Sequence, residues 1–227
     1  MWGKIKEFFA SLFATAHTDH GQILRDSVKD IPKGEPTNPI PDAAKIEKPQ
    51  WNSPWVFANL DLLGRDETDA ELNARYVPEW KKEGLDYRSL AGNDRAWCSL
   101  RMNADMRKVG IKGTDSAAAT SWRDWGEPCG YVFGAVLPIS HPSGGHHVCN
   151  FLYWIDNAKG LACTLDGNKS NRFALNVTDL SRNGDKVFPS PRWPKERSGG
   201  VSLTKEQVLA VYEWMVPGSK GTEGSTR

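Results

Sequence analysis

Val148-Cys149-Asn150-Phe151-Leu152-Tyr153-Trp154-Ile155, then Asp156-Asn157-Ala158-Lys159-Gly160, then Leu161-Ala162-Cys163-Thr164-Leu165: two apolar and aromatic runs flank a stretch of turn-forming residues. This reads as a β-hairpin. Tyr131 to Ile139 before it and Phe173 to Val177 after it read as further strands. The preceding residues follow a different period. Ser53-Pro54 opens a helix through Trp55, Ala58, Leu62 and Leu63 that stops at Gly64, and a second runs from Thr68 to Lys82 with a break or kink at Pro78. A third carries Trp97, Cys98, Leu100, Met102 and Met106 to Gly110, with Asp94 as its cap. A fourth opens at Thr114 and passes through Ala117, Ala118 and Ala119 to Trp122. Helices first and short, turn-linked strands second predict an α+β domain, its N-terminal helices packed on an antiparallel β-sheet.

That domain occupies residues 53–200 of the 227. Before it, residues 1–16 place Trp2, Ile5, Phe8, Phe9, Leu12 and Phe13 at helical spacing. They form an amphipathic helix suited to anchoring on a membrane surface or docking on a partner, with a secretory signal ending at Ala14-Thr15-Ala16 as the rival reading. Residues 17–52 are polar and proline-rich, a linker or extended arm. Residues 201–227 hold a helix from Thr204 to Met215, opened by the capping box Thr204-Lys205-Glu206-Gln207, and then a disordered tail.

A formal net charge of +1 gives no global reason to expect nucleic-acid binding. The four cysteines, Cys98, Cys129, Cys149 and Cys163, form no CxxC pair and read as reduced thiols. No run reaches the roughly 18 to 20 apolar residues of a membrane-spanning helix.

Cys98 stands in the first turn of its helix, where unpaired N–H groups and the helix dipole favour thiolate over thiol. A thiol nucleophile also needs a base within hydrogen-bond reach and a group that orients the base. His147 opens a strand after Gly144-Gly145, and Asn168 follows the next strand after Gly167. Packing the helix on the sheet would join Cys98, His147 and Asn168.

These residues resemble the nucleophile region of the cysteine peptidoglycan hydrolases, the CHAP and NlpC-like amidases and endopeptidases, and above all a small endolysin-like branch common in phages and prophages. The likeness rests on Ala96-Trp97-Cys98-Ser99, Gly113-Thr114-Asp115-Ser116-Ala117-Ala118, Trp122-Arg123-Asp124-Trp125-Gly126, Gly145-His146-His147-Val148, Leu165-Asp166-Gly167-Asn168-Lys169-Ser170-Asn171 and Arg192-Trp193-Pro194, in that order. It spans about residues 53–194, with Pro54-Trp55 and Leu63-Gly64 in the first helix. The resemblance implies a papain-like fold with Cys98 as nucleophile, His147 as base and Asn168 as orienting group. It implies cleavage of peptide bonds in the peptidoglycan stem, or of the amide joining sugar to stem, with no cofactor and no metal. Peptidoglycan is then the partner, with phage particle proteins or a membrane surface met through residues 1–50. The enzyme would be made in a bacterial host cytoplasm and act in the periplasm or wall, as an endolysin or a virion-borne lysin.

The sequence departs from that pattern in places. His146 stands where the family has no second histidine, and strand neighbours point to opposite faces, so one of the two faces the thiol. His147 is the choice because it directly precedes Val148; His146 is its alternate. Asp166 replaces a common glycine and reads as a turn residue or a second acceptor for the imidazole. Trp97 and Trp125 are candidates to wall a substrate cleft. Two other functions fit the residues: a zinc-dependent hydrolase using His141, His146, His147 or Cys149, and a phage structural or wall-binding module that keeps the fold without the reaction.

Overall fold

The computed structural model describes residues 53–82, 84–92, 96–181, 184–197, 199–200, 202–204 and 207–208. The N-terminal helix and arm, the Asp94 cap and most of the C-terminal helix lie outside these residues. Helix α1 (Ala70–Lys82) and helix α2 (Cys98–Lys108) precede seven strands: β1 (Glu127–Pro128), β2 (Val136–Ser140), β3 (His146–Asp156), β4 (Leu161–Lys169), β5 (Arg172–Asp179), β6 (Lys186–Val187) and β7 (Arg192–Trp193). They form one sheet in the order β1-β7-β2-β3-β4-β5, with β6 also on β2, and each pairing is antiparallel. The α+β class expected from the sequence is present, and the Asp156–Gly160 turn joins β3 to β4. No helix among the described residues is long and apolar enough to cross a membrane.

Both faces of the sheet are covered, which is why β3 is buried without interruption from Val148 to Tyr153. On one face Ala135, Leu137, Ile139, Cys149, Phe151 and Ala162 form a core cluster, closed by Tyr131, Val132, Trp154, Leu180 and Val187. Helix α2 packs on the other. Every residue from Cys98 to Met106 is buried, polar ones included. Arg101, which has no exposed surface, reaches from α2 to Leu165 O and to Asn150 Oδ1 on the sheet, and its Nε lies 2.8 Å from Asp105 Oδ2.

Three helical expectations are corrected. Residues 54–62 form two 3-10 turns, Pro54–Phe57 and Leu60–Leu62, and the Ser53 side chain makes no cap. The chain unwinds where Asn59 turns inward: its Nδ2 donates to Asp105 Oδ1, and its Oδ1 accepts from Arg75 and Lys108. Residues 114–118 form no helix, because their backbone is spoken for by α2. Asn103 Oδ1 accepts the N–H groups of Thr114 and Asp115, while Asn103 Nδ2 and Ser99 Oγ both donate to Ser116 O. Only Ala119–Arg123 makes a 3-10 turn. Tertiary hydrogen bonds have overridden local propensity in both segments. The third correction is at Pro78, where α1 continues unbroken. Its start is fixed by Asp69, whose Oδ1 accepts from the N–H groups of Glu71 and Leu72, and its packing by the burial of Leu72, Tyr76 and Trp80. At the far end of the chain, the Thr204 hydroxyl accepts the Gln207 N–H, and Gln207 Oε1 accepts the Thr204 N–H, as a capping box requires.

Candidate active site

Cys98 is the first residue of α2 and is 1% exposed. Its sulfur accepts hydrogen bonds from the backbone N–H groups of Val148 and Ser99 and meets the His147 side chain. Burial alone would raise the thiol pKa; His147 and the two N–H donors outweigh it and hold the thiol below the ordinary value of 9.0. What brings helix and sheet this close is a missing side chain. A Cβ on Gly167 would lie 2.9 Å from Arg101 Cβ and 3.1 Å from the Trp97 ring, so a larger residue there would push the thiol end of α2 off the sheet.

His147 lies near the start of β3, its side chain 13% exposed, and Nε2 donates to Asp166 Oδ1 at 2.7 Å. That bond leaves Nδ1 for the thiol. Burial opposes the charged ring, yet the bonds to Asp166 and Cys98 prevail and carry the His147 pKa from 6.5 up to about 10. A lowered thiol beside a raised imidazole is the signature of a thiolate–imidazolium pair, titrating as one unit. The carboxylate is itself anchored, since Asp166 Oδ2 accepts from Thr164 Oγ1 at 2.5 Å and Thr164 shares a 2.8 Å bond with Thr178 Oγ1.

The structure thus joins Cys98, His147 and Asp166, and it does not bring Asn168 into the His147 bond. The reason is backbone geometry. Cys149 and Asp166 are the last directly opposed pair of β3 and β4 at this end. Between Asp166 and Lys169 an extra residue bulges out of the ladder with β5, and Asn168 takes a φ of +62° within it. The bulge removes Asn168 from the position opposite His147, and Asp166, on the adjoining rung, makes the contact. Asp166 is therefore a buried strand residue rather than a turn residue.

His146 points away from the thiol: its Nδ1 lies 3.1 Å from Arg123 Nη2 and 3.3 Å from Ser140 Oγ. Trp97 has no exposed surface and stacks on Tyr76 at 6.1 Å, so it is a core residue and walls no cleft. Trp125 is half-buried against Trp122 and donates from Nε1 to Lys112 O. One support was missed in the sequence. Trp122 Nε1 donates to Ser99 Oγ at 2.8 Å, which ties the 3-10 turn to the residue after the thiol. The Trp122-Arg123 motif was visible, but nothing in it named Ser99 as its target.

The four residues considered for zinc do not converge on one point. His141 Nδ1 faces Asp185 Oδ1 at 2.6 Å and His146 faces Arg123. His147, Cys149 and Asp166 do converge, with one ligand atom of each lying within 4.8 Å of the others. An ion there would have to open the 2.7 Å His147–Asp166 bond and strip the proton from Cys149, whose thiol pKa is pushed well up by burial first and by Asp166 second. None of the four cysteines is in a disulfide. They differ in chemistry: His147 and two backbone N–H groups lower the Cys98 thiol, whereas burial and Asp166 raise that of Cys149.

Comparison with protein-family models gave no match, and a search of curated proteins likewise gave none.

Proposed function

We propose that this protein is a cysteine hydrolase of the bacterial cell wall, acting as an N-acetylmuramoyl-L-alanine amidase or a peptide-stem endopeptidase. The observation that carries the reaction type is the linkage of Cys98, His147 and Asp166. Support for the substrate is the ordered set of motifs resembling the phage-associated CHAP and NlpC-like hydrolases on a helix-plus-antiparallel-sheet architecture. In this reading the fold is papain-like, with Asp166 in the orienting role first expected of Asn168.

The thiol proton passes to His147 Nδ1, and the Cys98 sulfur attacks the amide carbonyl carbon. First-turn N–H groups of α2 lack helical partners and favour the developing oxyanion. Collapse of the tetrahedral adduct breaks the C–N bond, and the imidazolium gives its proton to the departing amine. His147 then takes a proton from water, the resulting hydroxide adds to the thioester, and the sulfur leaves as thiolate. Asp166 holds the ring with Nε2–H outward from the thiol throughout and steadies its positive form. Release from a host cytoplasm, or carriage in a virion, would bring the enzyme to its wall substrate.

Purified sacculi treated with the intact protein and with Cys98→Ala, with and without chelator, test this by mass spectrometry of soluble fragments. Fragments that require Cys98 and persist in chelator are expected, with masses that separate amidase from endopeptidase cleavage. Equal release by the alanine variant would overturn the nucleophile. Chelator-sensitive release would favour an ion on His147, Cys149 and Asp166, and sacculus binding without release would favour a wall-binding module.

A further inference from the structure

A second imidazole–carboxylate pair stands against the first. Ile139 on β2 lies directly opposite His147 on β3, and strand alternation brings His141, two residues further on, up on the same side. The two imidazole rings stack, with centroids 6.3 Å apart and planes 27° from parallel. Strand β6 supplies the carboxylate. Its antiparallel register sets Val187 against Ile139 and Lys186 against Ser140, so Asp185 arrives beside His141, and Asp185 Oδ1 lies 2.6 Å from His141 Nδ1. The carboxylate accepts, so Nδ1 carries the proton of this bond. Asp185, His141, His147 and Asp166 thus form one row across neighbouring strands, with the Cys98 sulfur at His147.

The row is anchored at its outer end. His141 opens the turn between β2 and β3: its N–H donates to Gly145 O, and its carbonyl accepts from the Gly144 N–H. Asp185 is held through its own N–H, which donates to Asp179 O. Both bonds of the His147 ring, to Asp166 and to the thiol, run from edge nitrogens and lie near the ring plane. They resist sliding within that plane and do little against tilting out of it. A fixed ring stacked on the face supplies that restraint.

We propose that His141, held by Asp185, is a positioning residue for the base, keeping the His147 ring in the plane that joins Cys98 to Asp166. The inference rests on the reading of Cys98 and His147 as a reactive pair and is independent of the wall substrate. His141 thereby enters the site through the base, not as a metal ligand.

The rate of Cys98 alkylation by iodoacetamide against pH, read by mass spectrometry, tests this without hydrolysis. His141→Gln keeps an N–H donor for Asp185 and takes the ring off the base; Asp185→Ala keeps the ring and removes its anchor. In both, the rate near pH 7 is expected to fall roughly threefold to tenfold, the worth of about one hydrogen bond, and the midpoint to move up toward the ordinary thiol value of 9.0. Asp185→Asn, whose amide oxygen still accepts from His141 Nδ1–H, should recover most of the wild-type rate. Wild-type rate and midpoint in both His141→Gln and Asp185→Ala, whatever their melting temperatures, would reduce the pair to a tie between β6 and the β2–β3 turn and overturn the inference. A raised midpoint in these variants of a protein that releases nothing from sacculi would uphold the positioning role and remove the wall substrate alone. A wild-type Cys98 that titrates as an ordinary thiol would overturn the reactive pair and this inference with it.

Discussion

Two charged clusters hang on α2, one at its middle and one at its start, and their chemistry differs. At its middle, Arg101 and Asp105 are both buried, bonded to Leu165 O, Asn150 and Asn59, and held under the Phe173 ring. At its start, Cys98 and Asp166 are just as buried, with His147 slightly exposed between them. A guanidinium is a fixed charge, so the first cluster ties helix to sheet. In the second cluster the proton sits between a thiol with a lowered pKa and an imidazole with a raised one, so it can move. The partner chemistry separates structure from reactivity; depth does not.

The sharpest way to break the comparison is Cys98→Ala. It should remove fragment release by about 10⁴-fold or more while the unfolding free energy stays within about 1 kcal/mol of wild type in denaturant titration. Asp166→Asn comes next, with hydrolysis down about 10²- to 10⁴-fold because the ring loses its orienting acceptor. Arg101→Leu should do the reverse of Cys98→Ala. It leaves Asp105 buried without its guanidinium partner, at about 3 to 5 kcal/mol in stability, read from the same denaturant titration. If Arg101→Leu unfolds like wild type, the structural role assigned to that pair is wrong.

Titration sharpens the contrast further. The wild-type rate should rise as Cys98 ionises, below the ordinary thiol value of 9.0, and fall as His147 loses its proton near pH 10. Asp166→Asn should move the alkaline limb downward, since a principal cause of the raised value is gone. The sign for stability follows. The folded His147 value of about 10 exceeds the ordinary 6.5, so its contribution is full below pH 6.5 and is lost as pH rises through about 10. Melting temperatures of wild type and Asp166→Asn should therefore converge as pH rises through about 10. The smallest expected effect is Thr164→Val, which removes one hydrogen bond to Asp166 and should slow hydrolysis roughly fivefold.

Much of this architecture was legible because burial writes itself into period. The β3–β4 hairpin, α2 and its stop at Gly110 are apolar patterns with turn punctuation, and they stand in the structure with modest changes of boundary. Cys98 and His147 were legible from element type: one opens a helix, the other a strand. What failed was set by contacts between distant residues. Asn59 and Asn103 spend their side chains on tertiary bonds that unwind the segments expected to be helical, and no local window contains Asp105 or Thr114. Asn168 was chosen over Asp166 because sequence shows alternation but not the bulge that interrupts it.

The order of residues along the chain also sets a schedule. Synthesis proceeds from the N-terminus, so Cys98 leaves the ribosome well before His147, and Asp166 later still. Until β4 has been made and zipped onto β3, the cysteine lacks the carboxylate that sustains its base, and it behaves as any thiol in a nascent chain. A polypeptide that stalls ahead of Leu161 carries Cys98 and His147 without Asp166. The hairpin that defines the fold is thus also what completes the Cys98–His147–Asp166 linkage, which a chain ending before β4 does not hold.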